Sequence, residues 1–244
     1  MTSGAELFAR YAFPPNELGY CGPSDALWSD AVLRTEVEAD VAHAAQQFEG
    51  AWPYLELIGG LHGLDPLDRM VVEAYWVGNE LLDHVDLLAW GNSVSDRFSS
   101  RAGSSRRELA EAIPGGRPNH AFHVFCVYPW VGLLHSGQEG PSLEVIDRCR
   151  IRAGRVVATD GLSAVVTTRP ICWDGRWLSE GPAVPERVRL PVGIDDVHPG
   201  AFVTMHWDYV CDAIDANGMQ RLAVESARHI ALANRSGRRL LVRS

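Results

Sequence analysis

The chain has 244 residues, a formal net charge of −9, 46% apolar residues and 22% charged residues. That length holds one large or two small domains with real cores, and the composition is that of an ordinary globular protein. The acidic balance excludes a surface of clustered Lys and Arg for phosphate, so no nucleic-acid partner is expected. The opening MTSGAELFARYAF lacks a basic region followed by an apolar core. Ala121–Leu134, the most apolar stretch, is too short and too polar to span a bilayer. No membrane partner is therefore expected, and the expected location is cytoplasmic.

Residues 4–12 read as a short helix stopped by Pro14 and Pro15. Ser24 is a candidate N-cap for a long helix to about Phe48, on which Leu27, Ala31, Val37, Val41 and Ala44 form a core-facing stripe. A second helix is predicted from Asp65-Pro66 to about Asp86, broken near Gly78, with further helices over Leu87–Ser99 and Arg106–Ile113. Asn119–Leu134 is ambiguous between a buried strand and a helix ending near Pro129. Gln138–Pro141 reads as a polar connector and as the boundary between residues 1–140 and 141–244. Beyond it, short Val-rich runs with turns at Thr159-Asp160-Gly161 and Trp173-Asp174-Gly175 predict β-hairpins. Phe202, Thr204, His206 and Asp208 alternate with Val203, Met205 and Trp207 as in a strand. From Tyr209 the apolar positions shift to a helical period, which places His206 where a strand gives way to a helix. A last helix is predicted from about Asp215 to Ala233. The predicted class is α+β: a mainly helical N-terminal domain, then a small OB-like β-barrel with a C-terminal helix.

Five cysteines, at 21, 126, 149, 172 and 211, form no C-x-x-C pair, which fits reduced thiols better than a zinc ribbon or finger. Cys126 and Cys211 lie in apolar surroundings and read as core residues. Cys21, in CGPSDAL just before the predicted helix start, would have its thiolate favoured by the helix dipole. That segment resembles the nucleophile region of some papain-like bacterial peptidases. With His120 or His123 as base, it is the alternative reading: a cysteine-dependent hydrolase or acyltransferase. Glu80 and His84 stand four apart, a spacing that can bind metal but is more often a surface hydrogen bond.

Two stretches carry a family resemblance. Cys149, Gly154, Arg155, Val156 and Val157 in CRIRAGRVV match an opening cysteine, a glycine, a basic residue and a valine-rich strand. Gly200, Phe202, Val203, His206, Tyr209, Ile214 and Asp215 match a second signature in order and spacing. Together they resemble the small hydrogenase-maturation chaperones of the HypC/HupF family, over roughly Leu143 to Arg235. In that family the cysteine follows the initiator methionine, whereas Cys149 is internal; Ala153 stands for a proline, Asp208 for a glycine, and Cys172–Glu186 reads as an insertion. The segments FARYAFPPNELGYCGP, NHAFHVFCVYPWVG and HWDYVCD further resemble an uncharacterised actinobacterial family associated with [NiFe]-hydrogenase gene clusters.

The resemblance implies an accessory chaperone rather than an enzyme. Cys149 and His206 would hold an iron with cyanide and carbonyl ligands for a hydrogenase large subunit or another maturation protein. A soft thiolate and a neutral imidazole suit such an ion. Arg148, Arg150, Arg152 and Arg155 surround the cysteine in sequence, and their field would favour the thiolate. Arg150 and Arg155 are thus expected to support the site, with Asp208 as a same-face partner for the His206 ring. Cys149 is expected at the start of the first barrel strand and His206 at the end of the last, on one rim, with at least one of them accessible. A metal-free docking protein of a hydrogenase complex is the third alternative.

Overall fold

The computed structural model describes residues 2–23, 38–98 and 106–241, so the helix start predicted at Ser24 lies outside the described residues. Helices occupy the first part: α1 (Gly4–Glu17), α2 (Glu38–Ala45), α3 (Trp52–His62), α4 (Arg69–Trp76), a 3-10 turn at Glu80–His84, α5 (Leu87–Phe98) and α6 (Arg106–Ala112). Then come α7 (His120–Phe122), which runs into a π-helical turn at His123–Val127, α8 (Trp130–His135) and α9 (Glu139–Cys149). Seven strands follow: β1 (Arg152–Thr159), β2 (Ser163–Thr168), β3 (Ile171–Trp173), β4 (Leu178–Glu180), β5 (Val184–Arg189), β6 (Phe202–His206) and β7 (Tyr209–Ile214). Helix α10 (Ala216–Leu241) closes the described chain. The class is α+β, as the residue patterns predict.

Several boundaries differ from expectation for identifiable reasons. Pro14 and Pro15 do not stop α1; they are buried in its last turns. The helix ends instead at Gly19, whose φ is 73°, with Tyr20 N–H on the Pro15 carbonyl at 2.8 Å and Gly19 N–H on the Asn16 carbonyl at 2.9 Å. That pair of bonds is a Schellman cap, which needs a left-handed residue. Helix α4 begins after Asp68, whose carboxylate accepts from Met70 N–H at 2.8 Å, and it stops before Gly78 (φ 97°) rather than reaching Asp86. Helix α3 is not predicted by the residue patterns. Gln138–Pro141 is no free connector: Gln138 caps α9 and Glu139–Pro141 form its first turn.

Five strands are hydrogen-bonded in a ring in the order β1-β2-β5-β7-β6. All neighbours are antiparallel except β5 and β7, which meet in parallel at the single pair Arg189↔Tyr209. The result is a mixed sheet bonded into a ring through one thin junction, not a formal barrel. Gly154 on β1 permits the tight crossing with β2, since a Cβ there would overlap the Thr167 carbonyl oxygen. The β3–β4 hairpin forms a separate two-stranded sheet within the region read as an insertion. It is tied to α10 by the Asn234 side-chain amide, whose oxygen accepts from Leu178 N–H and whose nitrogen donates to the Leu178 carbonyl, each at 2.9 Å.

Two apolar cores result. A small one fills the ring and contains Val156, Val166, Val188, Val203, Met205 and Val210. The larger one lies among the helices and continues onto Ile171, Leu178, Trp207, Cys211, Leu222 and Ile230 of the C-terminal half. Helix α1 packs on β6 and β7, so the first helix of the chain lies against its last strands.

A buried His–Cys–His cluster

The predicted helix after Tyr209 is strand β7. His206 pairs with Tyr209 across a tight turn at Trp207-Asp208, and Met205 pairs with Val210. Trp207 takes φ 52°, a left-handed conformation that a bulky side chain adopts only when its surroundings impose it. Three contacts hold it there. Its N–H donates to the Arg148 carbonyl at 2.8 Å, its carbonyl accepts from the Arg152 guanidinium, and Tyr20 stacks on its ring at 4.3 Å between centroids. Because Arg148 immediately precedes Cys149, the Trp207–Arg148 bond brings His206 alongside Cys149.

Cys149 is the last residue of α9 rather than the first of a strand. Its carbonyl, one of the helix-end acceptors left without an intrahelical partner, lies 2.7 Å from His120 Nε2. His120 opens α7, capped by the Asn119 side chain, which accepts from Phe122 N–H at 3.2 Å. The nitrogen and sulfur donors of His120, Cys149 and His206 lie within 4.8 Å of one another. All three residues are buried, with relative exposures of 6%, 6% and 1%. Trp76 walls the cluster, its ring centroid 4.7 Å from His120 and 5.7 Å from His206.

Proton positions favour a cation here. His206 Nδ1 lies 2.7 Å from the Tyr11 carbonyl, which only accepts, so Nδ1 carries the proton and Nε2 the lone pair. That Nε2 is buried and makes no hydrogen bond of good geometry among the described residues, although the Cys149 backbone is close enough to pull weakly on the ring. A carbonyl holding one ring nitrogen so that the other is free for a metal is the usual arrangement of a metal-binding histidine. His120 is held differently. The Tyr75 hydroxyl lies 3.0 Å from the Gly50 carbonyl and 3.2 Å from His120 Nδ1, and Nε2 faces the Cys149 carbonyl. Nε2–H donates to the Cys149 carbonyl, and the Tyr75 hydroxyl sits between the Gly50 carbonyl and the Nδ1 lone pair, so both ring nitrogens are engaged. To ligate a metal, His120 therefore has to give up one of these hydrogen bonds.

Burial dominates the electrostatics. It holds His120 down at about 4 against the pull of the Cys149 carbonyl, and it pushes His206 well below its ordinary range, with His120 and Arg152 adding to the effect. Both rings are therefore neutral at neutral pH; His206 offers a lone pair, whereas His120 has first to release a hydrogen bond. The Cys149 thiol is pushed well above its ordinary value by burial, with Cys21 adding to the effect. The arginine field expected to favour its thiolate does not act on it. A bound metal ion deprotonates a coordinating thiol directly. Tetrahedral bonds of about 2.0–2.3 Å place ligand atoms roughly 3.3–3.7 Å apart, so the cluster has to contract by about 1 Å. One thiolate with two imidazoles suits iron, zinc, copper or nickel. The residues fit a transition-metal ion, whose identity the donor set alone does not choose.

The other residues singled out from sequence fall elsewhere. Asp208 is exposed in the turn and pairs with Arg148, so the Tyr11 carbonyl takes the role expected of it. Arg150 is buried but pinned by Asp147 at 3.1 Å and Glu180 at 3.3 Å. Arg155 is exposed and reaches the Gly200 carbonyl at 3.3 Å. Arg152, fully buried and paired with Glu186, is the arginine that acts on His206. The expected accessibility is not met, since Cys149 and His206 are both enclosed. Glu80 and His84 are exposed at opposite ends of the 3-10 turn.

For the thiol alternative, the helix expected to favour the Cys21 thiolate lies outside the described residues. Cys21 is close enough for its charge to act on Cys149 and Tyr75, yet burial pushes its own thiol up to about 12, the reverse of the expected shift. His123 lies 3.1 Å from the Tyr54 hydroxyl and is held at about 3 by burial, with His120 adding to the effect. Of the two histidines proposed as its base, His120 belongs instead to the cluster with Cys149 and His206. Nothing local in NHAFH marks it as their partner. The one available signal was a histidine at a helix start preceded by a capping asparagine.

Among the described residues, no helix is long and apolar enough to cross a membrane. No curated protein and no solved structure matches the chain. Both halves fall within one match that covers residues 1–240, and the chain belongs to that family, described as a family of unknown function (DUF6390).

Proposed function

We propose that this protein is a metal-binding accessory protein of [NiFe]-hydrogenase maturation. In this reading Cys149, His206 and His120 hold an iron carrying cyanide and carbonyl ligands, the cargo destined for a hydrogenase large subunit or another maturation protein. The observation that carries the reading is the Nε2 lone pair of His206, oriented by the Tyr11 carbonyl beside the Cys149 thiol. The residue pattern shared with the HypC/HupF chaperones supplies the pathway. Arg152 beside His206 supports an anionic iron–cyanide group, because a buried cation favours negative charge nearby. No bond is made or broken by the protein, so the role is that of a carrier, not an enzyme. In this reading release passes beside Trp207, the neighbour of His206, on whose ring Tyr20 is stacked.

The enclosure of Cys149 favours a second reading, in which the ion is resident and the protein docks to its partner with the metal kept. Anaerobic co-expression with a hydrogenase operon separates the two. The carrier reading expects one iron per chain together with cyanide and carbonyl infrared bands, both lost in Cys149→Ala. Stably bound metal without those bands supports the resident ion. Protein that holds no metal under these conditions rejects both.

A further inference from the structure

A cleft of about 350 Å³ lies between the outer face of the strand ring and the first half of α10. Its volume is at the lower end of the ~300–1,000 Å³ typical of small-molecule sites. Apolar groups line it from both sides: Ile151, Ala153 and Phe202 from the strand side, and Met219, Leu222 and Ala223 from α10. Arg155, the cross-strand partner of Phe202, lines it with Arg150 and Arg169, Glu180 as the lining carboxylate, and hydroxyls from Thr167, Thr168 and Ser226.

The three guanidiniums are not equivalent. Arg150 is spent on Asp147, Glu180 and the Arg169 carbonyl. Arg169 donates to the Gly181 carbonyl at 3.2 Å and Arg155 to the Gly200 carbonyl at 3.3 Å. Neither Arg155 nor Arg169 has a carboxylate partner among the described residues. The lining thus holds three guanidiniums and one carboxylate, Glu180, and both Glu180 and the neighbouring Asp147 are engaged by Arg150. This occurs in a chain whose formal net charge is −9. Each free fork retains donors in the planar geometry that suits a carboxylate or phosphate.

We propose that this cleft binds a small amphiphilic anion, its carboxylate or phosphate head between Arg155 and Arg169 and its short aliphatic body against Met219, Leu222 and Phe202. The anionic head faces the two guanidiniums that lack a carboxylate partner, and the apolar lining is covered by the tail. Arg150 and Ile151, which line the cleft, directly follow Cys149 in the chain. The proposal is independent of metal binding.

Calorimetric titration of the full chain with hexanoate, hexyl phosphate, inorganic phosphate and 1-hexanol tests it. The expected result is saturable binding of hexanoate or hexyl phosphate, with inorganic phosphate and 1-hexanol at least tenfold weaker. The tighter of the two anionic probes identifies the head group. The double substitution Arg155→Ala/Arg169→Ala, at two exposed side chains, should weaken that binding at least tenfold while leaving the thermal unfolding temperature unchanged. Arg187→Ala, an exposed arginine paired with Asp160 outside the cleft, should leave binding unaltered. Binding that survives the double substitution, equal binding of 1-hexanol, or no binding of either anionic probe would each overturn the assignment.

Discussion

His206 Nδ1 and the Tyr11 carbonyl, 195 positions apart in the chain, lie 2.7 Å from each other, and this bond fixes the tautomer of the ring. It joins the end of β6 to α1 and turns Nε2 toward Cys149. The two functions of the ring, holding α1 and offering a lone pair, are separable by substitution. His206→Ala leaves the Tyr11 carbonyl buried and unsatisfied, at a cost of ~1–3 kcal/mol. His206→Asn retains an N–H near Nδ1 and lacks Nε2. It should keep stability within about 1 kcal/mol of wild type and lose at least the ~10–100-fold in metal affinity that outer partners alone contribute. Urea unfolding and competitive metal titration read the two effects. Wild-type affinity in the Asn variant would remove His206 from the site.

Metal affinity should depend on pH in a way set by one thiol. Both histidine ligands are neutral at neutral pH, with His120 near 4 and His206 lower than usual, so neither releases a proton on binding. Cys149 is protonated throughout that range because burial raises its thiol. Binding releases that one proton, so affinity should rise about tenfold per pH unit from pH 6 to 8, with no inflection near the ordinary histidine value of ~6.5. A plateau above pH 7 in a chelator-competition series would show that the thiol is not a ligand.

Acid should unfold the metal-free protein steeply. His120, His123, His206 and His229 are all buried with depressed values, to about 4, 3 and 3 for His120, His123 and His229. Their neutral forms are the folded ones. The stability they carry is complete above the unfolded value of ~6.5 and is lost as pH falls through it toward the folded values. Each contributes a slope of up to about 1.4 kcal/mol per pH unit, so four together approach ~5 kcal/mol per unit below pH 6. Urea midpoints at pH 7.5, 6 and 5 measure this. Equal midpoints at all three would contradict the buried neutral state.

The Tyr20–Trp207 stack should control the rate of metal exchange more than the affinity. Tyr20 is 49% exposed, so its removal opens little of the core. An aromatic pair contributes ~0.5–1.5 kcal/mol, which converts to a roughly two- to tenfold larger open population. Tyr20→Ala should therefore speed chelator-driven metal removal by about that factor while leaving the unfolding midpoint close to wild type. An unchanged release rate would mean that metal leaves by another path.

The misread helix after Tyr209 shows what residue patterns conceal. Tyr209 and Cys211 belong to the large helical core and Val210 to the ring interior, so β7 is buried on both faces. A strand covered on both sides loses the polar–apolar alternation by which strands are recognised, and its residues can mimic a helical stripe. Asn119–Leu134 was ambiguous for a related reason. It is apolar almost throughout, and the π-helical turn at His123–Val127 obeys neither simple period.

The α+β class, the change from helical runs to Val-rich hairpins and the terminal helix could be read from local patterns, because each depends on which residues alternate, cap or turn within a few positions. Cys149 and His206 were also legible as candidates, through motif residues that keep their order and spacing. Only the tertiary structure decided that they meet, that His120 joins them, and that the Tyr11 carbonyl rather than Asp208 orients the imidazole. The physical reason is distance along the chain. The donors come from a helix start, a helix end and a strand end, brought together by the Trp207–Arg148 backbone bond and by the packing of α1 on the ring. Long-range contacts of that kind leave no periodic trace in the residues that make them.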